Sequence, residues 1–299
     1  MSPMDADFIK ITESSANFPS LLREIPDVPK ILYLRGTLPD ASIPCIAIVG
    51  TRKATVQGKQ TAKTIALELA KRGVVIVSGL AFGIDAAAHE GALAANGTTI
   101  AVLGNGIDSI YPSSHESLGM RILASGGAIL SEYPAGIPAY PNQFLARNRI
   151  VSGLSIATII IEAPHRSGTL VTAKHALDQG REVFVVPGTA NHPNFKGSHE
   201  LIRSGARLVQ NVDEILEDLA SSVEFFTSLP ATPVYHSKDA AEAAVLKILT
   251  DSKTPLSADG ILTGTGLASP LVNQTLTFLA LEGVINETNG KFSLKQKKA

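Results

Sequence analysis

The chain has 299 residues, 44% hydrophobic and 18% charged, with 26 Lys and Arg against 27 Asp and Glu for a formal charge of −1. That length suggests two domains or one large one, and the composition excludes a wholly disordered chain and a disulfide-stapled miniprotein. The single cysteine, Cys45, excludes an internal disulfide and a multi-cysteine zinc site and fits a reducing, cytoplasmic location; the acidic start lacks the regions of a signal peptide, and no apolar run approaches the ~20 residues of a membrane span.

In chain order, six short apolar runs predict strands: Cys45–Gly50, Val74–Gly79, Thr98–Gly104, Ala128–Glu132, Ser155–Glu162 and Glu182–Gly188. Each is rich in β-branched residues and nearly continuous in apolar character, the pattern of strands covered on both faces. Helical spacing intervenes over Gln60–Lys71, Asp85–Ala95 and Thr169–Gln179. Strands alternating with helices imply βαβ crossovers and an α/β fold with a Rossmann-like, doubly wound, mostly parallel sheet. Several strands end on Gly or Ser, which lets the chain turn sharply into a helix with its N–H groups facing outward. Ligands of such sheets bind beyond the carboxyl ends of the strands. Chemistry is therefore expected at Gly50–Lys53, Gly79–Gly83, Gly104–Gly106, Glu162–Thr169 and from Gly188 onward.

The texture changes after residue 220. Residues 221–240, with Pro230 and Pro233, read as a linker. Ala241–Thr250, Leu256–Leu262 and Ser269–Glu282 read as helices, the last with Ser269 as N-cap, Pro270 at its first position and Gly283 as its stop. Val284–Glu287 and Lys291–Leu294 form a hairpin around Asn289-Gly290. Three helices and a hairpin follow the winged-helix order. The expected organisation is a Rossmann-like domain over 1–220, a linker over 221–240 and a winged-helix-like domain over 241–299. The third helix carries no Lys or Arg, which favours an auxiliary or protein-contact role over duplex reading.

Three constellations can carry chemistry. Phe144-Leu-Ala-Arg147-Asn148-Arg149 precedes a buried strand. In an extended segment or loop both arginines can reach one run of phosphates and Phe144 can stack a base; equally, both arginines can cap or pair with Glu132 and Glu162. Gly50-Thr51-Arg52, at the first strand–helix turn, can grip a nucleotide phosphate or a nucleic-acid backbone through amides, hydroxyl and guanidinium. It can also be a plain helix start with Thr51 as N-cap. Arg166-Ser167-Gly168-Thr169, with Lys174 beyond, forms an anion-friendly turn into a helix. It lacks the Lys of a Walker A loop, and no Gly-x-Gly-x-x-Gly follows a strand, so ATP hydrolysis and dinucleotide redox chemistry lose support. Asp85 and His89 fall at i, i+4 without a third ligand in reach of the spacing, which favours a capping role for Asp85 over a metal site. Residues 144–210 hold eight Lys and Arg against four carboxylates, a local net of +4 against −5 for the remainder, as a basic groove on a neutral protein requires.

The ordered motifs resemble the DNA-processing protein A family (DprA, also called Smf). They are Phe18–Asp27, Leu32–Gly36, Ile48-Val-Gly-Thr-Arg52, Ser78–His89, Gly104–Pro112, Ser131–Pro134, Phe144–Ser155, Ser167–Ala173 and Val185–Gly188, agreeing in order and spacing over roughly Phe18 to Leu219. The resemblance implies a non-enzymatic recombination mediator that needs no metal or nucleotide. It implies binding and protection of incoming single-stranded DNA during natural transformation, loading of the RecA recombinase, and a homodimer. Carried onto this chain, Gly50, Thr51 and Arg52 hold phosphates. Phe144, Arg147, Asn148 and Arg149 line the groove, and Arg166, Ser167, Gly168, Thr169 and Lys174 complete the pocket. The N-terminal helical domain of many members is expected to be absent. Leu145 stands where Pro is frequent, and Gly197-Ser-His-Glu200 replaces the usual approach to Leu201-Ile202. The rival reading is a phosphoribohydrolase acting on nucleotide 5′-monophosphates. Those enzymes carry Pro-Gly-Gly-x-Gly-Thr-x-x-Glu, of which only Arg166-Ser-Gly-Thr169 has a counterpart here.

Overall fold

All six apolar runs form strands, and they lie side by side because each can be covered on both faces. The computed structural model describes residues 8–220, 239–252, 254–281, 284–288 and 290–294. These belong to two compact units, one within Met1–Ser228 and one within Leu229–Ala299. Among the described residues, no helix is long and apolar enough to cross a membrane.

The first unit is built on a nine-stranded sheet: β1 (Ile9–Thr12), β2 (Ile31–Gly36), β3 (Cys45–Val49), β4 (Val75–Ser78), β5 (Thr99–Gly106), β6 (Ala128–Tyr133), β7 (Ala157–Ile160), β8 (Glu182–Val185) and β9 (Arg207–Leu208). Their order is β1-β2-β6-β5-β4-β3-β7-β8-β9. From β6 to β9 all pairings are parallel, and β2 and β1 extend the β6 edge antiparallel. The chain steps from β3 out to β6 on one side and returns to the other side of β3 with β7. That reversal leaves a crevice beyond the carboxyl ends of β3 and β7, where an open α/β sheet places its ligand.

Among the described residues, eight α-helices accompany the sheet: α1 (Ser20–Arg23), α2 (Val56–Lys71), α3 (Ile84–Ala94), α4 (Glu116–Ala124), α5 (Pro141–Gly153), α6 (Gly168–Asp178), α7 (Lys196–Arg203) and α8 (Val212–Ala220). Alternate strand residues go to opposite faces. Ala47, Val49, Val77 and Val102 pack with Ile150 and Val151 of α5 and Ala173 of α6. Ala101, Leu103 and Ile129 pack with Leu118 and Ile122 of α4. Ile46, Ile48, Ile76 and Phe184 are wholly buried, each such side chain contributing about 1.5–3 kcal/mol.

The structure corrects two local readings. Residues 144–153 are helical, not extended: α5 begins with Pro141, whose missing N–H costs nothing in the first turn, and Gln143 Oε1 accepts the Tyr140 N–H at 2.9 Å. In addition, α2 is capped by Thr55, whose side chain accepts from Gly58 N at 2.9 Å; the strand–helix turn runs four residues beyond Thr51 before the helix begins.

The second unit has helices at Ala240–Asp251, Ala258–Thr265 and Ser269–Leu281, with strands Leu256–Ser257, Ile285–Thr288 and Lys291–Leu294 in one antiparallel sheet. Val245, Ile261, Val272, Leu276 and Ile285 form its core. This is the winged-helix arrangement. The third helix begins with Ser269 as its first helical residue rather than as its cap, because the carbonyl of Ala268 accepts from Val272 N and Ala268 takes the cap position. The proposed linker residues 221–238, the stop at Gly283 and Asn289 of the turn lie outside the described residues.

Candidate functional site

A cleft of about 520 Å³ opens beyond the carboxyl ends of β3, β4 and β7. Its walls come from the β3–α2 loop (Gly50 to Lys53), the β4–α3 loop (Gly79, Ala81), Asp85 in the first turn of α3, Tyr111, one side of α5 (Pro141, Phe144, Leu145, Arg147, Asn148, Val151) and the start of α6 (Ser167, Gly168, Thr169, Thr172). Nine expected residues therefore meet here: Gly50, Thr51, Arg52, Phe144, Arg147, Asn148, Ser167, Gly168 and Thr169.

Three of the four arginines of the expected site have three different roles. Arg52 is exposed, and among the described residues its guanidinium meets no carboxylate and no carbonyl; it lies over the Phe144 ring with Cζ 5.0 Å from the centroid. Arg147 is only 4% exposed and forms the floor, donating from Nη1 to the carbonyls of Gly79 and Val102. Burial pushes its pKa down to about 10 against the opposing pull of Asp85, so it stays charged at neutral pH. Arg149 is turned away from the cleft. Residues two apart on a helix lie on nearly opposite sides, and Arg149 is held between Glu132, at 2.7 and 3.0 Å, and Asp27, at 2.7 Å. Burial works against its charge, but the two carboxylates outweigh burial and raise its pKa. The expected pairing of an α5 arginine with Glu132 is thus Arg149's, whereas Glu162 takes no arginine.

Asp85 supports the floor from beneath. Its Oδ2 accepts the N–H of Gly79 at 3.1 Å and of Ala81 at 3.4 Å, which ties down the β4–α3 loop rather than capping α3, whose N-cap is Gly83 with no side-chain cap bond. Burial raises its pKa, opposed by Arg147 and by those two amides. A Cβ on Gly79 would lie 2.5 Å from Arg147 Cζ, and one on Gly104 would lie 2.7 Å from Phe144 Cδ1. The glycines at these strand ends make room for α5 side chains, which is a different reason from the turn geometry read in the sequence.

The loop that carries Arg52 is fixed from below. Glu162, fully buried, accepts from Thr55 N at 3.1 Å, from the Thr55 hydroxyl, and from Asn194 Nδ2 at 2.7 Å. Its carbonyl accepts Thr51 N at 2.8 Å. The Thr51 hydroxyl accepts Lys53 N at 3.2 Å and keeps its own proton to give. On the opposite wall, Ser167 Oγ is buried with no hydrogen-bond partner, at the N-terminus of α6, where backbone N–H groups and the helix dipole favour an anion.

Arg166, which takes a left-handed backbone with φ 57°, and Lys174 are exposed and do not line the cleft. The excess charge over residues 144–210 does not form the groove either. Arg181 pairs with Glu24, Arg207 with Glu182 and Asp218, and Arg149 with Asp27 and Glu132, so most of these partners come from outside that stretch. Lys53 closes the Gly50–Lys53 stretch where chemistry was expected, and one further residue escaped the sequence reading. Tyr111, 47% exposed, reaches the cleft by packing its ring 5.4 Å from Phe144. Among the described residues no group of three His, Cys, Asp or Glu is placed to hold a metal ion.

The family model for DNA recombination-mediator protein A matches residues 10–220. The chain is 39% identical over 287 residues to protein Smf of Escherichia coli K12, covering 94% of this chain and 76% of that one. The solved structure of DNA processing protein A from Streptococcus pneumoniae superposes with a TM-score of 0.67 at 38% identity, covering 71% of this chain and 74% of that one. DNA processing protein A from Helicobacter pylori, solved for its single-stranded DNA binding mode, superposes with a TM-score of 0.64 at 33% identity, covering 74% of this chain and 99% of that one.

Proposed function

The chain belongs to the DNA recombination-mediator protein A family, and on that premise we propose that its cleft binds single-stranded DNA by the sugar–phosphate chain. The supporting observation is the contrast among the arginines. Arg147 is buried in the floor with Nη1 donating to two carbonyls, and Arg149 is clamped between two carboxylates, whereas Arg52, beside Lys53, presents at the rim a cation that no described carboxylate pairs. A phosphate held there would also face the Thr51 hydroxyl and, across the cleft, the Ser167 hydroxyl at the start of α6. Each phosphate neutralised releases counterions, so affinity falls with salt. Phe144 and Tyr111 offer aromatic surface to bases of any identity.

The same reading extends to the biological step. The protein protects incoming strands, acts as a homodimer whose paired clefts raise effective affinity on one strand, and loads a RecA-type recombinase during natural transformation. A gel shift with equal lengths of single-stranded and duplex DNA tests the binding claim; single-strand preference is expected, and equal retardation overturns it. The loading claim is tested by recombinase filament formation on strands coated with single-strand-binding protein. This protein should restore it, and no restoration contradicts the mediator role.

A further inference from the structure

We propose that Phe82 is a second base-stacking site, which carries the strand out of the cleft across the β4–α3 loop; the inference rests on the reading of the cleft as a single-strand site. An exposed phenylalanine alone is ordinary on a protein surface. Phe82 differs in where it is and in how firmly it is held. It is 48% exposed and follows directly on Ala81, which lines the cleft. The edge of His115 supports its ring at a centroid distance of 4.8 Å and an interplanar angle of 69°. His115 Nδ1 lies 2.9 Å from the Leu80 carbonyl, which ties that support back to the same loop.

The loop is also fixed against the cation. Gly83 has φ 83°, and the space where its Cβ would stand is filled by the Thr51 and Arg52 carbonyls. Ile84 N donates to the Thr51 carbonyl at 3.4 Å. The residues that present Arg52 and Phe82 are therefore braced on each other. Three neighbouring strands, β7, β3 and β4, feed the α6 start, the Arg52 loop and the Phe82 loop in that order. At about 4.8 Å per strand, the track from Ser167 to Phe82 runs straight across the sheet edge. A chain gripped by phosphate at Arg52 leaves on that line, with an aromatic face waiting for its next base. The ligand is an unpaired nucleobase, purine or pyrimidine.

The test uses a property of the sequence: the chain contains no tryptophan. Phe82→Trp therefore installs a single indole reporter, and Leu177→Trp, at an exposed position on α6 outside the cleft, is the control. Oligo-dT should quench the indole at 82 and leave that at 177 unchanged. Phe82→Ala should weaken binding of a labelled oligo-dT by about tenfold in anisotropy titrations. If Phe82→Trp and Phe82→Ala both bind with parental affinity and the indole at 82 is not quenched, the second site is overturned and the cleft reading stands. If the parent protein itself binds no oligo-dT, both readings fall.

Discussion

Arg52 holds its guanidinium carbon 5.0 Å from the centre of the Phe144 ring, a cation from the β3–α2 loop resting on an aromatic side chain of α5. Such contacts contribute roughly 0.5–1 kcal/mol at exposed sites, enough to hold the arginine at the rim in one direction. Phe144→Leu keeps apolar volume against Gly104 and removes the ring. The variant should keep its circular dichroism spectrum and lose severalfold in oligo-dT affinity by anisotropy. Parental affinity would show that the ring neither orients Arg52 nor meets a base.

Gly79→Ala places a methyl group against the Arg147 guanidinium, which is itself fixed by the Gly79 and Val102 carbonyls and cannot withdraw. Overpacking of this kind costs about 1–3 kcal/mol. Thermal unfolding should show a lowered Tm together with weakened DNA binding, because the floor of the cleft moves. An unchanged Tm would mean that the guanidinium has room the structure does not show.

Arg149→Met separates support from contact. Removing the guanidinium leaves Glu132 and Asp27 facing each other with no cation between them. Breaking such a partly buried network should lower stability by about 2–3 kcal/mol in urea titration. The salt dependence of DNA binding by the folded variant should stay parental. A reduced salt slope would instead place Arg149 on the strand.

His89 gives the fold an acid limit. Its Nδ1 lies 2.7 Å from the Thr99 hydroxyl, which donates onward to the Ile76 carbonyl, so Nδ1 carries the imidazole proton and Nε2 is buried without a partner. Burial, with Arg147 and His115 adding to it, pushes its pKa down to about 3 from an ordinary 6.5. Between those values the unfolded chain binds the proton and the folded chain does not, so stability rises with pH across this window. Each unit below pH 6.5 costs up to about 1.4 kcal/mol. Asp85 acts with the opposite sign, since its raised pKa makes the folded state lose stability as pH rises above the ordinary carboxylate value. The His89→Gln comparison isolates the histidine: Tm should fall from pH 7 to pH 5 in the parent and fall less in the variant. Equal falls would contradict the assignment.

The central sheet was legible because β3, β4, β5, β7 and β8 are buried on both faces and read as apolar runs. The β3 and β7 loops of the cleft followed from the strand ends alone. Helix α5 was not legible because it turns polar residues inward. Gln143, Arg147, Arg149 and Ser152 are all buried, so no apolar stripe repeats at helical spacing, and Pro141 at the first position was the available signal. The division of labour between Arg147 and Arg149 depends on that helix, and with it on whether two arginines two positions apart share a side. Tyr111 and Phe82 lie on loops whose approach to the cleft is set by long-range packing against Phe144 and His115.

The phosphate grip rests on Arg52, and oligo-dT affinity against salt concentration for the parent and for Arg52→Ala measures it. The log–log slope for single strands is about −0.7 for each phosphate neutralised. The variant should bind severalfold more weakly at low salt, with a slope shallower by about 0.7. Identical affinity and slope in the two proteins would contradict a phosphate grip at the end of β3.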